Sequence, residues 1–142
     1  MVDKEDNNED GDDMSLDKIA IALENIESQN LKDDENVMNW LKQITSPEFK
    51  LIESFINLFL DSIQDHQLVA TILKVLIKLN YYQKEIVQPQ LQENSQLSKA
   101  LINYLVNTEK SNLTGEPFML LLQICNKNDY KNVKNKIKLV KQ

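Results

Sequence analysis

Apolar residues recur at spacings of three and four along most of this chain, the period of helices that bury one face. Leu16, Ile19, Leu23 and Ile26, with Ala20 and Ala22 beside them, predict an amphipathic helix over 15–28, with Ser15 placed as its N-cap. A polar loop follows from Gln29 to Glu35. Val37, Trp40, Leu41 and Ile44 predict a second, shorter helix over 36–45. Ser46-Pro47-Glu48 is a start signal. The serine caps, the proline takes a first-turn position where its missing N–H costs nothing, and the acid favours the positive helix end. From there Phe49, Ile52, Phe55, Ile56, Phe59, Leu60 and Ile63 line one wide apolar stripe.

After a polar turn around Gln64-Asp65-His66, the run from Leu68 to Leu79 is almost wholly apolar. Only Thr71, Lys74 and Lys78 interrupt it, all on one face. A helix this apolar must be covered on most sides. Tyr82 to Gln88 predicts another short helix that Pro89 ends or kinks. Gln96 to Val106 is helical, with Leu97, Leu101, Tyr104 and Leu105 inward. Asn107 to Glu116 is a polar loop, and Pro117 opens the apolar run Phe118 to Cys125. Beyond it Val133, Ile137 and Val140 share one helix face, with Lys131, Lys134, Lys138 and Lys141 elsewhere.

An internal repeat runs through these helices. Phe55-Ile56-Asn57-Leu58-Phe59-Leu60-Asp61-Ser62 lies over Leu101-Ile102-Asn103-Tyr104-Leu105-Val106-Asn107-Thr108 at an offset of 46. The same offset carries Ile72, Leu73, Val75, Leu76 and Leu79 onto Phe118, Met119, Leu121, Leu122 and Cys125, and Val87 onto Val133. A period in the forties, with two long helices and a short one, is the spacing of helical-repeat stacks. The runs Leu76-Ile77-Lys78-Leu79-Asn80 and Leu122-Gln123-Ile124-Cys125-Asn126 resemble the last-helix signature of armadillo repeats, over residues 47–142. The resemblance to armadillo and HEAT repeats implies an all-α, right-handed stack that binds proteins.

On that reading, residues 15–46 are capping helices, 47–92 the first repeat, and 93–142 the second with a basic C-terminal helix. The chain departs from the family in having no glycine from Pro89 to Asn94. Lys78 and Gln123 stand nearest the place where the family clamps a peptide backbone with asparagine, so the clamp does not carry over. Asn80 and Asn126 are expected to terminate helices instead. The order of helices over 48–142 also resembles the small bundle of transcription-elongation-factor N-terminal domains, which implies binding of disordered acidic-hydrophobic motifs. The glycine and basic cluster of that pattern are missing around Gln90 to Leu97.

Composition narrows the function. The 142 residues include 16 lysines, no arginine and a net charge of −6. Without guanidinium groups the chain lacks the bidentate fork used to read guanine or phosphate, and its acidity disfavours a dedicated nucleic-acid ligand. Residues 1–13 carry seven acids against Lys4, and residues 1–14 are expected to be a disordered acidic tail. Its bland role is solubility and its sharper one a contact with a basic partner. No secretory or membrane-spanning pattern is visible, so the expected location is intracellular, nuclear or cytoplasmic. The Asn112-Leu113-Thr114 sequon then has no meaning.

No catalytic constellation can be assembled. His66 is the single histidine and is expected in a solvent-exposed or capping role; Cys125 is the sole cysteine, expected as a buried thiol. No glycine-rich phosphate loop, paired-cysteine zinc pattern or hydrolase elbow occurs. Asp33-Asp34-Glu35 lacks the spacing of a calcium loop. Trp40 is expected as a core contact before an interface anchor. The expected protein is thus a non-catalytic interaction module, an adaptor or small subunit of a larger complex, with no cofactor, metal or small-molecule substrate. The candidate partner-binding residues are Thr71, Lys74, Lys78, Leu120, Ile124, Lys131, Lys134 and Lys138. At the offset of 46, Leu120 and Ile124 replace Lys74 and Lys78, so an exposed face is expected to turn apolar and be covered by the final helix or a partner.

Overall fold

The most apolar run of the sequence becomes its most enclosed helix. A computed structural model describes residues 15–125, Lys131 and Asn135. Among them are seven α-helices and no strand: α1 (Leu16–Ser28), α2 (Glu35–Ile44), α3 (Leu51–Asp61), α4 (His66–Tyr82), α5 (Lys84–Glu93), α6 (Ser95–Asn107) and α7 (Glu116–Ile124). Two 3-10 turns, Pro47–Phe49 and Lys110–Asn112, join them. The protein is all-α. α4 packs against α1, α2, α3, α5 and α7. That position needs apolar surface nearly all round, which Val69, Ile72, Leu73, Val75, Leu76 and Leu79 supply from complete or near-complete burial.

Short polar side chains set the helix starts. Ser15 Oγ accepts from the Lys18 amide at 3.4 Å. Asp34 Oδ1 accepts from the Asn36 and Val37 amides at 3.0 and 3.2 Å. Asp65 Oδ1 takes the Leu68 amide, and Asn94 Oδ1 the Gln96 and Leu97 amides. Each satisfies donors that the first turn leaves without an intrahelical acceptor.

The structure corrects three local expectations. The start signal at Ser46-Pro47 produces only a 3-10 turn, because Lys50 adopts the left-handed region at φ 61° and the α-helix begins anew at Leu51. Phe49 therefore leaves the apolar stripe and is exposed, while Leu51 joins the core. Pro89 does not end its helix: α5 runs through it to Glu93. Val87 and Leu91, both fully buried, anchor the helix on either side of the proline. The Gln90 side chain also donates from Nε2 to the Ile86 carbonyl at 2.9 Å and to the Thr45 carbonyl at 2.7 Å, tying α5 to the end of α2. Asn80 does not terminate α4, which continues to Tyr82; it is buried and hydrogen-bonded within the domain. The acidic segment 1–14, Asn126, and Lys134 and Lys138 of the expected last helix lie outside the described residues.

The two halves repeat unequally. At the offset of 46, Leu51, Phe55 and Phe59 of α3 coincide with Leu97, Leu101 and Leu105 of α6, and all six are buried. The next helices disagree. Leu73 and Leu76 are fully buried, whereas Met119 is 51 % and Leu122 37 % exposed. An offset of 48 restores the match: Val69, Ile72, Leu73 and Leu76 then fall on Pro117, Leu120, Leu121 and Ile124, all buried. α7 is thus turned relative to α4 by two residues of register.

Candidate functional site

Leu120 and Ile124 were expected on an apolar outer face, covered by the final helix or by a partner. They are 0 % and 8 % exposed, on the side of α7 that packs against α4, α5 and α6. They are core residues, because the two-residue turn of α7 brings them inward. Thr71, Lys74 and Lys78 do share one face of α4, and α1 lies along it: with Ala20, Leu23 and Glu24 they line a recess of about 120 Å³. The Lys78 ammonium stands 2.6 Å from Glu27 of α1, and the Thr71 hydroxyl donates to the Gln67 carbonyl. This face is taken up mainly by an intramolecular contact, with Lys74 exposed beside it. Lys131 is exposed.

Three other features were not singled out by sequence. The first is an open groove of about 330 Å³ between α1 and α2, lined by Ala22, Asn25, Ile26, Leu31, Asn36, Val37 and Trp40. Its wall is nearly all carbon. Trp40 is half-buried: its ring rests on the core yet forms part of the groove, so it is both core contact and candidate anchor. Ile21, next to Ala22 on α1, is 57 % exposed. The connecting loop and the first residue of α2 carry Asp33, Asp34 and Glu35 at the surface, with Lys32 the only cation among them. The groove is apolar with an acidic border.

The second is an amide cluster where α4 ends. Buried Asn80 donates both Nδ2 hydrogens, to Gln88 Oε1 at 3.1 Å and to Gln123 Oε1 at 3.0 Å, linking α4, α5 and α7. Its Oδ1 is buried and has no hydrogen-bond partner among the described residues. A cleft of about 510 Å³ opens beside it, lined also by Tyr81, Lys84 and Leu122. The third lies between α4 and α6. His66 Nδ1 is 2.6 Å from the Tyr104 hydroxyl, at the edge of a polar cleft of about 490 Å³ that includes Asn103, Asn107 and Thr108. His66 is therefore neither a cap, which is Asp65, nor free in solvent. Burial pushes the Tyr104 phenol above its ordinary range, and a hydrogen bond with Thr108 opposes that shift. A phenol held neutral is a poor nucleophile, so the pair reads as a structural hydrogen bond.

Among the described residues no group of three His, Cys, Asp or Glu side chains converges as a metal site, and no helix is long and apolar enough to cross a membrane. No family model matches the chain, no curated protein matches its sequence, and no solved structure matches it.

Proposed function

We propose that this protein is a non-catalytic protein–protein interaction module, an adaptor or small subunit of a larger complex. The α1–α2 groove carries the reading: an open, carbon-lined channel with a half-buried tryptophan on its wall. Such a surface matches the apolar face of an amphipathic helix, which buries alternate turns of side chain in a groove. Aromatic residues of this kind concentrate binding energy when a partner desolvates them. The acidic border favours a partner helix flanked by lysine or arginine. In this reading α1 and α2 cap a short armadillo- or HEAT-like stack whose two repeats begin at α3 and α6. The matching burial of those two helices supports that arrangement, and the shifted register of α7 marks the second repeat as a divergent, terminal one.

A second reading is a nuclear, transcription- or chromatin-associated bundle that binds disordered acidic-hydrophobic peptides. The cleft beside Asn80 favours it, since Lys84 offers a cation, Tyr81 and Leu122 offer apolar surface, and the glutamine amides offer donors.

One experiment separates the two. The tagged chain and an Ala22→Glu variant are purified from native cells at low and high salt, and bound proteins are identified by mass spectrometry. An apolar interface retains stoichiometric partners at high salt and loses them in the variant, whose circular dichroism stays unchanged. A chain that emerges alone at high salt, and carries acidic proteins at low salt in both forms, supports the peptide-reading alternative instead.

A further inference from the structure

The apolar content of α7 does not decide which side of it turns inward. Its buried stripe is Pro117, Leu120, Leu121 and Ile124. One residue further round, a turn of about 100°, stands a second stripe of Phe118, Leu121, Leu122 and Cys125. Both stripes are wholly apolar and similar in size, so exchanging one for the other changes the area removed from water little.

A polar contact does discriminate between them. Between Pro117 and Cys125 the single polar side chain is Gln123. Its Oε1 accepts from Asn80 Nδ2 of α4 at 3.0 Å, and Asn80 is 3 % exposed. The other Nδ2 hydrogen goes to Gln88 Oε1 of α5 at 3.1 Å. Turning α7 to its second stripe sets Ile124 where Gln123 stood. A buried Asn80 hydrogen then meets hydrocarbon, with neither its acceptor nor water, which disfavours that rotation roughly tenfold to a hundredfold. The Gln92 side chain also donates to the Ile124 carbonyl at 3.4 Å and ties down the end of α7. A carbonyl is common to every residue, however, and does not distinguish one side chain from the next.

Stability alone does not account for the cluster. Asn80 Oδ1 is buried without a hydrogen-bond partner among the described residues. A leucine at this position would leave no polar atom to desolvate. Buried amides kept at such a cost serve, in the best-attested cases, to choose one packing over its near-equals. We infer that Asn80 is a positioning residue whose bond to Gln123 selects one rotation of α7 from two of similar apolar content. The choice reaches the surface. In the selected rotation Leu122 lines the cleft with Tyr81 and Lys84, and Met119 is outward. The turned helix would set Gln123 and Leu120 in their places.

Nuclear magnetic resonance on the full chain tests this, with the α7 amides and the Met119 methyl as probes. The parent is expected to give one set of α7 signals. Asn80→Leu and Gln123→Met are each expected to give a second set, or broadening, confined to α7 and the helices it touches, with the minor form at about a tenth or more. The urea midpoint of Asn80→Leu is expected to equal or exceed that of the parent. Should Asn80→Leu fail to fold, Gln123→Met, at a half-buried position, is read in its place. One sharp α7 set in the folded variants overturns the inference. If the midpoint falls as well, the bond only stabilises; if it does not, apolar packing alone sets the rotation. A parent that already shows two sets overturns it too.

Discussion

Exchanging two residues that the repeat aligns tests the packing of α7. At the offset of 46, Leu120 stands where the first repeat has Lys74. If sequence register alone decided exposure, Leu120→Lys would place a lysine where the fold already tolerates one. Leu120 is instead fully buried, whereas Lys74 is exposed. Leu120→Lys forfeits the burial of a leucine side chain, about 2 kcal/mol. It also buries an ammonium or forces its stem to distort a packed interface, which adds at least about 2 kcal/mol. The loss of about 4 kcal/mol or more is a large part of the 5–15 kcal/mol that stabilises a typical domain. With a urea dependence of roughly 2 kcal/mol per molar, the midpoint falls by about 2 M. The converse change, Lys74→Leu, adds an apolar group on the surface beside α1 and shifts stability by no more than about 0.5 kcal/mol. Urea titration followed by the fluorescence of Trp40, the single tryptophan, reads both. Equal, small shifts for the two variants refute the inward orientation of Leu120.

Asp34→Ala removes the cap that holds two amides of α2 and should lower stability by about 1 kcal/mol by the same titration, with Asp34→Asn recovering most of it. Lys78→Met breaks the ion pair with Glu27, but Glu27 is about half exposed, so the change is expected to stay within about 1 kcal/mol and to shrink further in salt. Tyr104→Phe removes the hydrogen bond to His66 and is expected to cost about 1 kcal/mol at neutral pH. Because burial raises the Tyr104 value, the neutral phenol stabilises the fold fully below the unfolded value near ~10, and that contribution is lost as pH rises through the folded value. The parent should therefore lose stability more steeply above about pH 10 than Tyr104→Phe, as urea titrations across that range will show.

Local signals in this chain were legible because their causes are local. The spacing of Leu16, Ile19, Leu23 and Ile26 and the hydroxyl of Ser15 define α1 without reference to any other helix. The largely apolar character of Leu68–Leu79, broken only on one face by Thr71, Lys74 and Lys78, implied cover on most sides, and α4 has it. Ile52, Phe55, Ile56 and Phe59 were placed correctly for the same reason, while Phe49 was not: the left-handed turn at Lys50 resets the helix, and nothing in a lysine announces it. The site was less legible. The groove under Trp40 arises from the separation of α1 and α2, a distance that no periodicity encodes. The His66–Tyr104 pair joins residues 38 positions apart. The amide cluster around Asn80 gathers side chains from three helices.

By itself the sequence determined the all-α class, the position of most helices, the inward stripes of α1, α3 and α6, and the repetition of α3 in α6. Those follow from helical periodicity and capping chemistry, which act over a few residues. Only the tertiary structure decided how α7 is rotated. An amphipathic helix carries its own instruction about which side faces water, but Phe118 to Leu122 is apolar in every direction and carries none. Its orientation is set by the surfaces of α4, α5 and α6 that receive it, and those choose Leu120, Leu121 and Ile124.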